Sequence, residues 1–277
     1  MLVFITSVRH PHNATNYDRV ERLLQRTLAS VCAQDDRDFR VVVVASQPLS
    51  FATSEEIETV VVDFPAPSDH RGAQTGREAI LHDRGTKLAI GILAARQHPA
   101  AHIMRFDADD FVSRDIAGFV NRYPNHAGWY VNKGHAYYER RGLTRHIEDF
   151  HEKCGTSLVI RQDLYGPAKL PVTATQDELY NGFGEFVVKQ LLGSHRIARE
   201  HFAAMNTPLE PLPFRGAVYT LETGENHSRD KAAGFAWPVS KALAHEFGLP
   251  RSPPDGSVIS NFIRSTASTA LRKRNSQ

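Results

Sequence analysis

Only two cysteines occur in 277 residues, Cys32 and Cys154, too few and too far apart for a thiolate metal cluster or a secreted disulfide framework. A reducing compartment is the expectation. Neither sign of charge is in excess: 33 Lys and Arg against 31 Asp and Glu leave a formal net charge of +2. That balance gives no electrostatic case for a nucleic-acid partner, so any phosphate binding must be local. No stretch approaches the ~20 apolar residues of a membrane helix. The apolar start of MLVFITSVRH ends at Arg9, short of a signal-peptide core, and reads as a buried first strand of a cytoplasmic protein. Glycine is missing from FITSVRHPHNAT, where a phosphate-cradling loop after a first strand would carry it.

Hydrophobic residues at 41% and charged residues at 23% supply a sizeable core. Residues 2 to 8, LVFITSV, form a β-branched run without polar alternation, as a strand buried on both faces requires. From Tyr17 to Ala33, apolar Val20, Leu23, Leu24, Leu28 and Val31 recur at three- and four-residue spacing and predict an amphipathic helix. RVVVVAS, 40 to 46, is a second buried strand, which completes a βαβ unit. IETVVVDF adds a third strand, Arg77 to His98 a second helix, and AHIMRFDADDF a strand ending in carboxylates. Beyond it a helix over 113–123, strands over 128–139 and 155–161, and a helix over 176–193 closed by Gly193 are expected. Residues 208–254 read as irregular apart from a short helix near 239–247. The resulting expectation is an α/β fold, a Rossmann-like single domain with a mixed, mostly parallel sheet and helices on both faces. Its halves span 1–115 and 116–235, and 236–277 form a helical, basic extension.

The run Asp107, Ala108, Asp109, Asp110 is the strongest chemical signal. Carboxylates crowded at a strand end repel one another, and a divalent cation bridging phosphates would neutralise them. In open α/β sheets ligands gather at the carboxyl ends of strands, which is where this run falls. Alternation puts Asp107 and Asp109 on one side and Asp110 on another. A plainer role for Asp109 or Asp110 is to cap the following helix.

FITSVRHP, ERLLQRTLASVCAQDDRDFRVVVVAS and RGTKLAIGILAARQHPAAHIMRFDADDF resemble, in order and spacing, the family two glycosyltransferases, and within them the rhamnosyltransferase group. The likeness covers about the first 115 residues and is much looser beyond 160. It implies a GT-A fold, a nucleotide bound by the first strands, Thr6 and Arg9 among its contacts, and a DxD motif holding ribose and metal. Asp107 would face ribose or metal and Asp109 would be the direct ligand of Mn²⁺ or Mg²⁺. Arg84 and Lys87, and after them Arg71 and Arg9, are the candidate cations for a departing diphosphate, whose growing charge fixed cations stabilise. His227 in GENHSR would complete the metal site. Asp177 or Glu185 would serve as the base that deprotonates the acceptor in an inverting transfer. Aromatic Trp129, Tyr130, Tyr137 and Tyr138 offer either an acceptor platform or core packing. One departure stands out: Ala45, Ser46 and Gln47 replace the acidic D-D-x-S common after the second strand, which leaves the nucleotide open.

The activity so implied is transfer of a sugar, rhamnose among the candidates, from a UDP, dTDP or GDP donor to a glycan or glycolipid acceptor. The basic tail RKRN could also touch the inner face of a membrane, since each cation near anionic lipid adds ~1 kcal/mol. Two rival readings are a nucleotidyltransferase, against which the glycine-free first loop counts, and a nucleotide-sugar binding module without turnover.

Overall fold

The computed structural model describes residues 1–225 and 235–251. The chain opens with β1 (Leu2–Ser7), α1 (Tyr17–Val31), β2 (Phe39–Ala45), β3 (Ile57–Val61), α2 (Arg77–Ala95) and β4 (His102–Arg105). Next come β5 (Phe111–Val112), α3 (Ile116–Asn121), β6 (Gly128–Tyr130), β7 (Lys133–Tyr138), β8 (Leu143–Glu148), α4 (Phe150–Lys153) and β9 (Leu158–Arg161). The chain ends its described course with α5 (Gln176–Phe183), a π-helical segment Phe186–Leu192, α6 (Ala198–Ala204), β10 (Glu210–Pro211), β11 (Ala217–Leu221), β12 (Trp237–Pro238) and α7 (Lys241–Phe247).

Seven strands form one sheet in the order β10-β6-β9-β4-β1-β2-β3, and five form a second in the order β12-β8-β7-β11-β5. In the first, β3, β2, β1 and β4 run parallel, and β9 is antiparallel to both β4 and β6. Successive residues of β1 point to opposite faces, and both faces are covered. Leu2 and Phe4 pack with Leu24 and Leu28 of α1, whereas Val3 and Ile5 pack with Leu88 and Ile92 of α2. Burial on both faces is why LVFITS shows no polar alternation. The chain thus has the expected α/β fold, with a mixed, mostly parallel sheet between helices. Among the described residues, no helix is long and apolar enough to cross a membrane.

Several expected elements are divided differently. The single strand expected over 128–139 splits into β6 and β7, which belong to different sheets. At the split Val131 N–H donates to Ser157 O and Asn132 O accepts from Phe150 N–H, so the backbone there serves α4 and the approach to β9. The helix expected over 176–193 breaks at Gly184, whose φ of +84° is a left-handed-region value that glycine adopts without a Cβ clash. Beyond the break, Phe186–Leu192 wind as the π-helical segment. Gly193 is right-handed rather than a left-handed cap, and glycine is needed because a Cβ would stand 2.5 Å from Leu81 O. Residues 208–254 are not wholly irregular: β11 is a central strand of the second sheet, fully buried along its length. The basic RKRN tail lies outside the described residues.

Gly85 lets α2 and the π-helical segment meet, since a Cβ there would lie 2.2 Å from Val188 O, a backbone atom that cannot rotate away. Gly85→Ala is expected to cost about 1–3 kcal/mol of unfolding free energy by overpacking. Gly76→Ala, where nothing lies within 4 Å of the added carbon, should stay within about 0.5 kcal/mol of the parent in the same denaturant titration.

Candidate functional site

A cleft of about 750 Å³ opens at the carboxyl ends of β1 and β4. Ser7, Val8 and Arg9 follow β1 into it, and Asp107, Ala108 and Asp109 follow β4. The in-register pairing of Ile5 with Arg105 delivers these two segments side by side. The far wall carries Ile80, Leu81 and Arg84 of α2, and residues 193–196 approach from the end of the π-helical segment. Tyr219 of β11 and Glu225 close the remaining side.

The four residues Asp107 to Asp110 make a turn in which Asp110 N–H donates to Asp107 O at 3.2 Å. The half-buried Asp107 carboxylate is ion-paired to the Arg84 guanidinium. Gly155 lies against that pair, and a Cβ on it would stand 2.2 Å from Arg84 Nη2 and under 3 Å from both Asp107 oxygens. Asp109 lines the cleft, and burial, then the charge of Asp107, push its carboxyl up to about 7. Asp110 is wholly buried, its acidity weakened by burial and by both neighbouring carboxylates. Its oxygens are occupied: Oδ1 accepts from Thr220 N–H at 2.9 Å, and Oδ2 from Cys154 Sγ at 2.9 Å and Thr156 Oγ1 at 2.5 Å.

Asp107, Asp109, Arg84 and Arg9 are therefore brought together as the sequence leads one to expect, with Arg9 held to the Glu225 carboxylate at 2.6 Å and its carbonyl at 2.7 Å. Other expected contacts are not in the cleft. Thr6 is buried, its hydroxyl donating to Phe106 O at 2.8 Å, so it ties β1 to the end of β4. Lys87 has no exposed surface; its ammonium donates to Val8 O at 2.9 Å and to Asp83 Oδ2 at 3.0 Å, which fixes the cleft wall from behind. Burial lowers the Lys87 pKa, against the opposing pull of Asp83. Arg71 is exposed and does not line the cleft.

The two acids expected as the base also stand elsewhere. Asp177 is exposed in the first turn of α5, where it complements the helix dipole. Glu185 is exposed and ion-paired with Lys189 at 2.7 Å. Neither lines the cleft. His227 lies outside the described residues. The aromatic cluster resolves into core: Trp129, Tyr137 and Tyr138 are buried, and only Tyr130 is half-exposed, under the Arg199 guanidinium at 4.6 Å.

Sequence reasoning missed His195, Arg196, Glu225 and the Cys154–Thr156 segment. Glu225 accepts from Thr15 N–H at 3.2 Å and Asn16 N–H at 2.8 Å, a carboxylate at the start of α1. These contacts join residues more than 200 apart, which no local pattern reveals. His195 is held neutral: burial, then the charges of Arg105 and Arg84, lower its pKa to about 3. Within that segment the sequence offered only the strand expected over 155–161, which opens on Gly155 next to Cys154.

The donor set at the cleft suits a hard divalent cation, because Asp107 and Asp109 offer oxygen ligands whose mutual repulsion such an ion relieves. Ligand atoms of Asp107, Asp110 and Cys154 also lie within 4.8 Å of one another. Asp110 already accepts three hydrogen bonds and does not line the cleft, which Asp107 and Asp109 both do.

Because Asp109 keeps its proton longer in the folded chain than in the unfolded one, its contribution to stability falls as pH rises between about 4 and about 7 and is level above. Asp109→Asn abolishes that dependence. In chelator, its stability relative to the parent should grow by about 2 kcal/mol between about pH 5 and pH 7, then stay constant, as read by urea unfolding. A difference that does not move with pH would contradict the environment described for Asp109.

No protein-family model matches the chain, and no curated protein matches it. Solved structures similar to it include Staphylococcus aureus TarS, residues 1–349, in complex with UDP-GlcNAc, at 12% identity and a TM-score of 0.41, over 84% of this chain and 62% of that one. This chain thus spans about three fifths of that TarS structure. Also similar are 4-diphosphocytidyl-2C-methyl-D-erythritol synthase from Anaerococcus prevotii (9% identity, TM-score 0.36, 83% and 91% covered) and a protein from Desulfovibrio desulfuricans described as a nucleotide-diphospho-sugar transferase (10%, 0.32, 79% and 80%).

Proposed function

We propose that this chain is a divalent-metal-dependent glycosyltransferase that takes a sugar from a nucleoside diphosphate donor. The observation that carries the reading is the position of Asp107 and Asp109 at the carboxyl end of β4, in a cleft shared with the end of β1 and rimmed by guanidinium groups. A sugar nucleotide has a diphosphate to neutralise and a flat base to enclose, and both demands are met by carboxylates, cations and apolar walls in one space. Asp107 and Asp109 would hold Mn²⁺ or Mg²⁺, which when bound supplies charge neutralisation for the diphosphate. Arg84 and Arg9 flank the same position, and the exposed Arg77 and Arg196 extend positive charge along the mouth. Fixed cations there favour the transition state, in which the leaving diphosphate gains charge, over the ground state.

The acceptor in this reading is a glycan or glycolipid hydroxyl, with rhamnose among the candidate sugars and inversion as the stereochemical course. Asp177 and Glu185 do not face the cleft, so the reading gives neither the role of base. A nucleotidyltransferase would be expected to present a glycine-rich phosphate loop after β1, and residues 8–16 contain no glycine.

Thermal unfolding against UDP, dTDP and GDP, each with and without Mn²⁺, tests the proposal. One diphosphate should raise the melting temperature only when Mn²⁺ is present, by the equivalent of about 2.7 kcal/mol at a hundredfold excess over its Kd. Asp109→Ala should abolish that shift, and no shift with any of the three sinks the proposal. With the matching sugar nucleotide and a mixed glycan acceptor, binding without donor consumption would identify the non-catalytic alternative. Asp177→Asn and Glu185→Gln are expected to leave turnover within about twofold, since surface substitutions away from a site have small effects.

A further inference from the structure

We infer that Asp110, Cys154 and Thr156 form a positioning cluster that sets where Asp107 and Asp109 stand in the cleft. The inference rests on the proposed donor site, but the contacts that carry it are separate. The fourth residue of the acidic run does not line the cleft, yet its carboxylate accepts three hydrogen bonds.

The Thr156 hydroxyl is the centre of the arrangement. It donates to Asp110 Oδ2 at 2.5 Å and accepts the Asp107 backbone N–H at 2.9 Å, so one oxygen joins the first and last residues of the turn. Cys154 Sγ donates to the same Asp110 oxygen at 2.9 Å, and Thr220 N–H of β11 holds the other at 2.9 Å. Asp110 therefore ties the end of β4 to the second sheet and to the segment leading into β9. Cys154, Thr156, Thr220 and Asp110 are all buried, where a hydrogen bond cannot be replaced by one to water. Between the two donors sits Gly155, close enough to the Arg84–Asp107 pair that only a hydrogen atom fits on its α-carbon.

The geometric consequence is direct. Asp107 and Asp109 lie in a turn whose two ends are fastened to one buried hydroxyl, while their own carboxylates stand in the cleft. Loss of the hydroxyl frees the Asp107 amide and removes a donor from Asp110, so the turn gains conformations in which the two carboxylates no longer converge.

Thr156→Val removes the hydroxyl at nearly constant volume, and Thr156→Ser restores it. Amide hydrogen exchange of the full-length chain is the first readout and needs no ligand. Thr156→Val should speed exchange at Asp107 about tenfold, while the amides of β2 keep their parental rates and Thr156→Ser behaves like the parent. Equal exchange in the valine and parent chains, or equal acceleration in valine and serine, overturns the inference. Titration with UDP plus Mn²⁺ is the second readout: affinity should fall about tenfold in Thr156→Val and return in Thr156→Ser. If the parent chain binds none of UDP, dTDP or GDP with Mn²⁺, the donor-site reading fails and the exchange measurement still decides the positioning role. Should Thr156→Val not fold, Cys154→Ala, which removes one donor to Asp110 without touching the Asp107 amide, is expected to speed exchange at Asp110 about threefold. No change in Cys154→Ala would overturn the inference as well.

Discussion

The parallel pairing of β1 with β4 is the constraint on which the cleft depends. Leu2 to Ile5 lie beside His102 to Arg105, and β1 runs on to Ser7, alongside the start of the acidic run that follows β4. The chemistry of the molecule is set by the path the chain takes beyond those two strand ends. After β1 it turns outward through Val8 and Arg9; after β4 it turns through the acidic run. Hydrogen bonds reinforce the junction, with Thr6 donating to Phe106 O and Phe106 N–H donating to Ile5 O. A parallel sheet covered on both faces leaves its carboxyl edge as the place where polar groups can gather without being buried in core.

Behind that edge, buried charge is used to hold backbone. Lys87 ties α2 to the turn after β1 by donating to Val8 O, with Asp83 as its counter-ion one helical turn away. Arg105, also fully buried, donates through Nη1 to Leu191 O and Leu192 O at 2.7 Å and so anchors the end of the π-helical segment next to residues 193–196. Burial brings its pKa to about 10, which still leaves it charged at neutral pH. Both cations sit where a carbonyl end needs a donor, and for Lys87 removing one partner of its buried ion pair with Asp83 costs about 3–5 kcal/mol. Lys87 thus acts on the cleft only through the wall it fixes, although its place on the helix leading to β4 gives it the look of a direct contact.

Much of the frame was legible from local pattern. Unbroken β-branched runs announced β1 and β2, and apolar spacing announced α1 and α2, because those elements bury whole faces against one another. Asp107 and Asp109 were legible because a strand ending in crowded carboxylates is chemically costly wherever it occurs. Most of the hidden contacts share one property, large separation in sequence. Glu225 reaches Arg9, Asp110 reaches Thr220, and the π-helical segment that Gly184 divides from α5 packs on the distant α2. Periodicity reports how a segment faces its neighbours but not which neighbours it meets. Asp177 and Glu185 carried the right chemistry for a base, yet the structure turns them to solvent and, for Glu185, to Lys189.

The electrostatic balance of the cleft gives the arrangement its internal logic. Asp107 is matched by Arg84, and Arg9 by Glu225, so the cleft holds two ion pairs whose partners come from different elements. Burial, then the charge of Asp107, push Asp109 toward its neutral form, against the opposing pull of Arg9. In the proposed function a dication with its diphosphate would reverse that pressure, because it would favour the ionised carboxylates and give the guanidinium groups a second anion to face. In the proposed function the two would strengthen each other: the metal would favour the charged state of Asp109, and the diphosphate would offset the charge that Arg84 and Arg9 bring. Binding of metal and diphosphate is therefore expected to be cooperative, each raising the affinity for the other by the same factor.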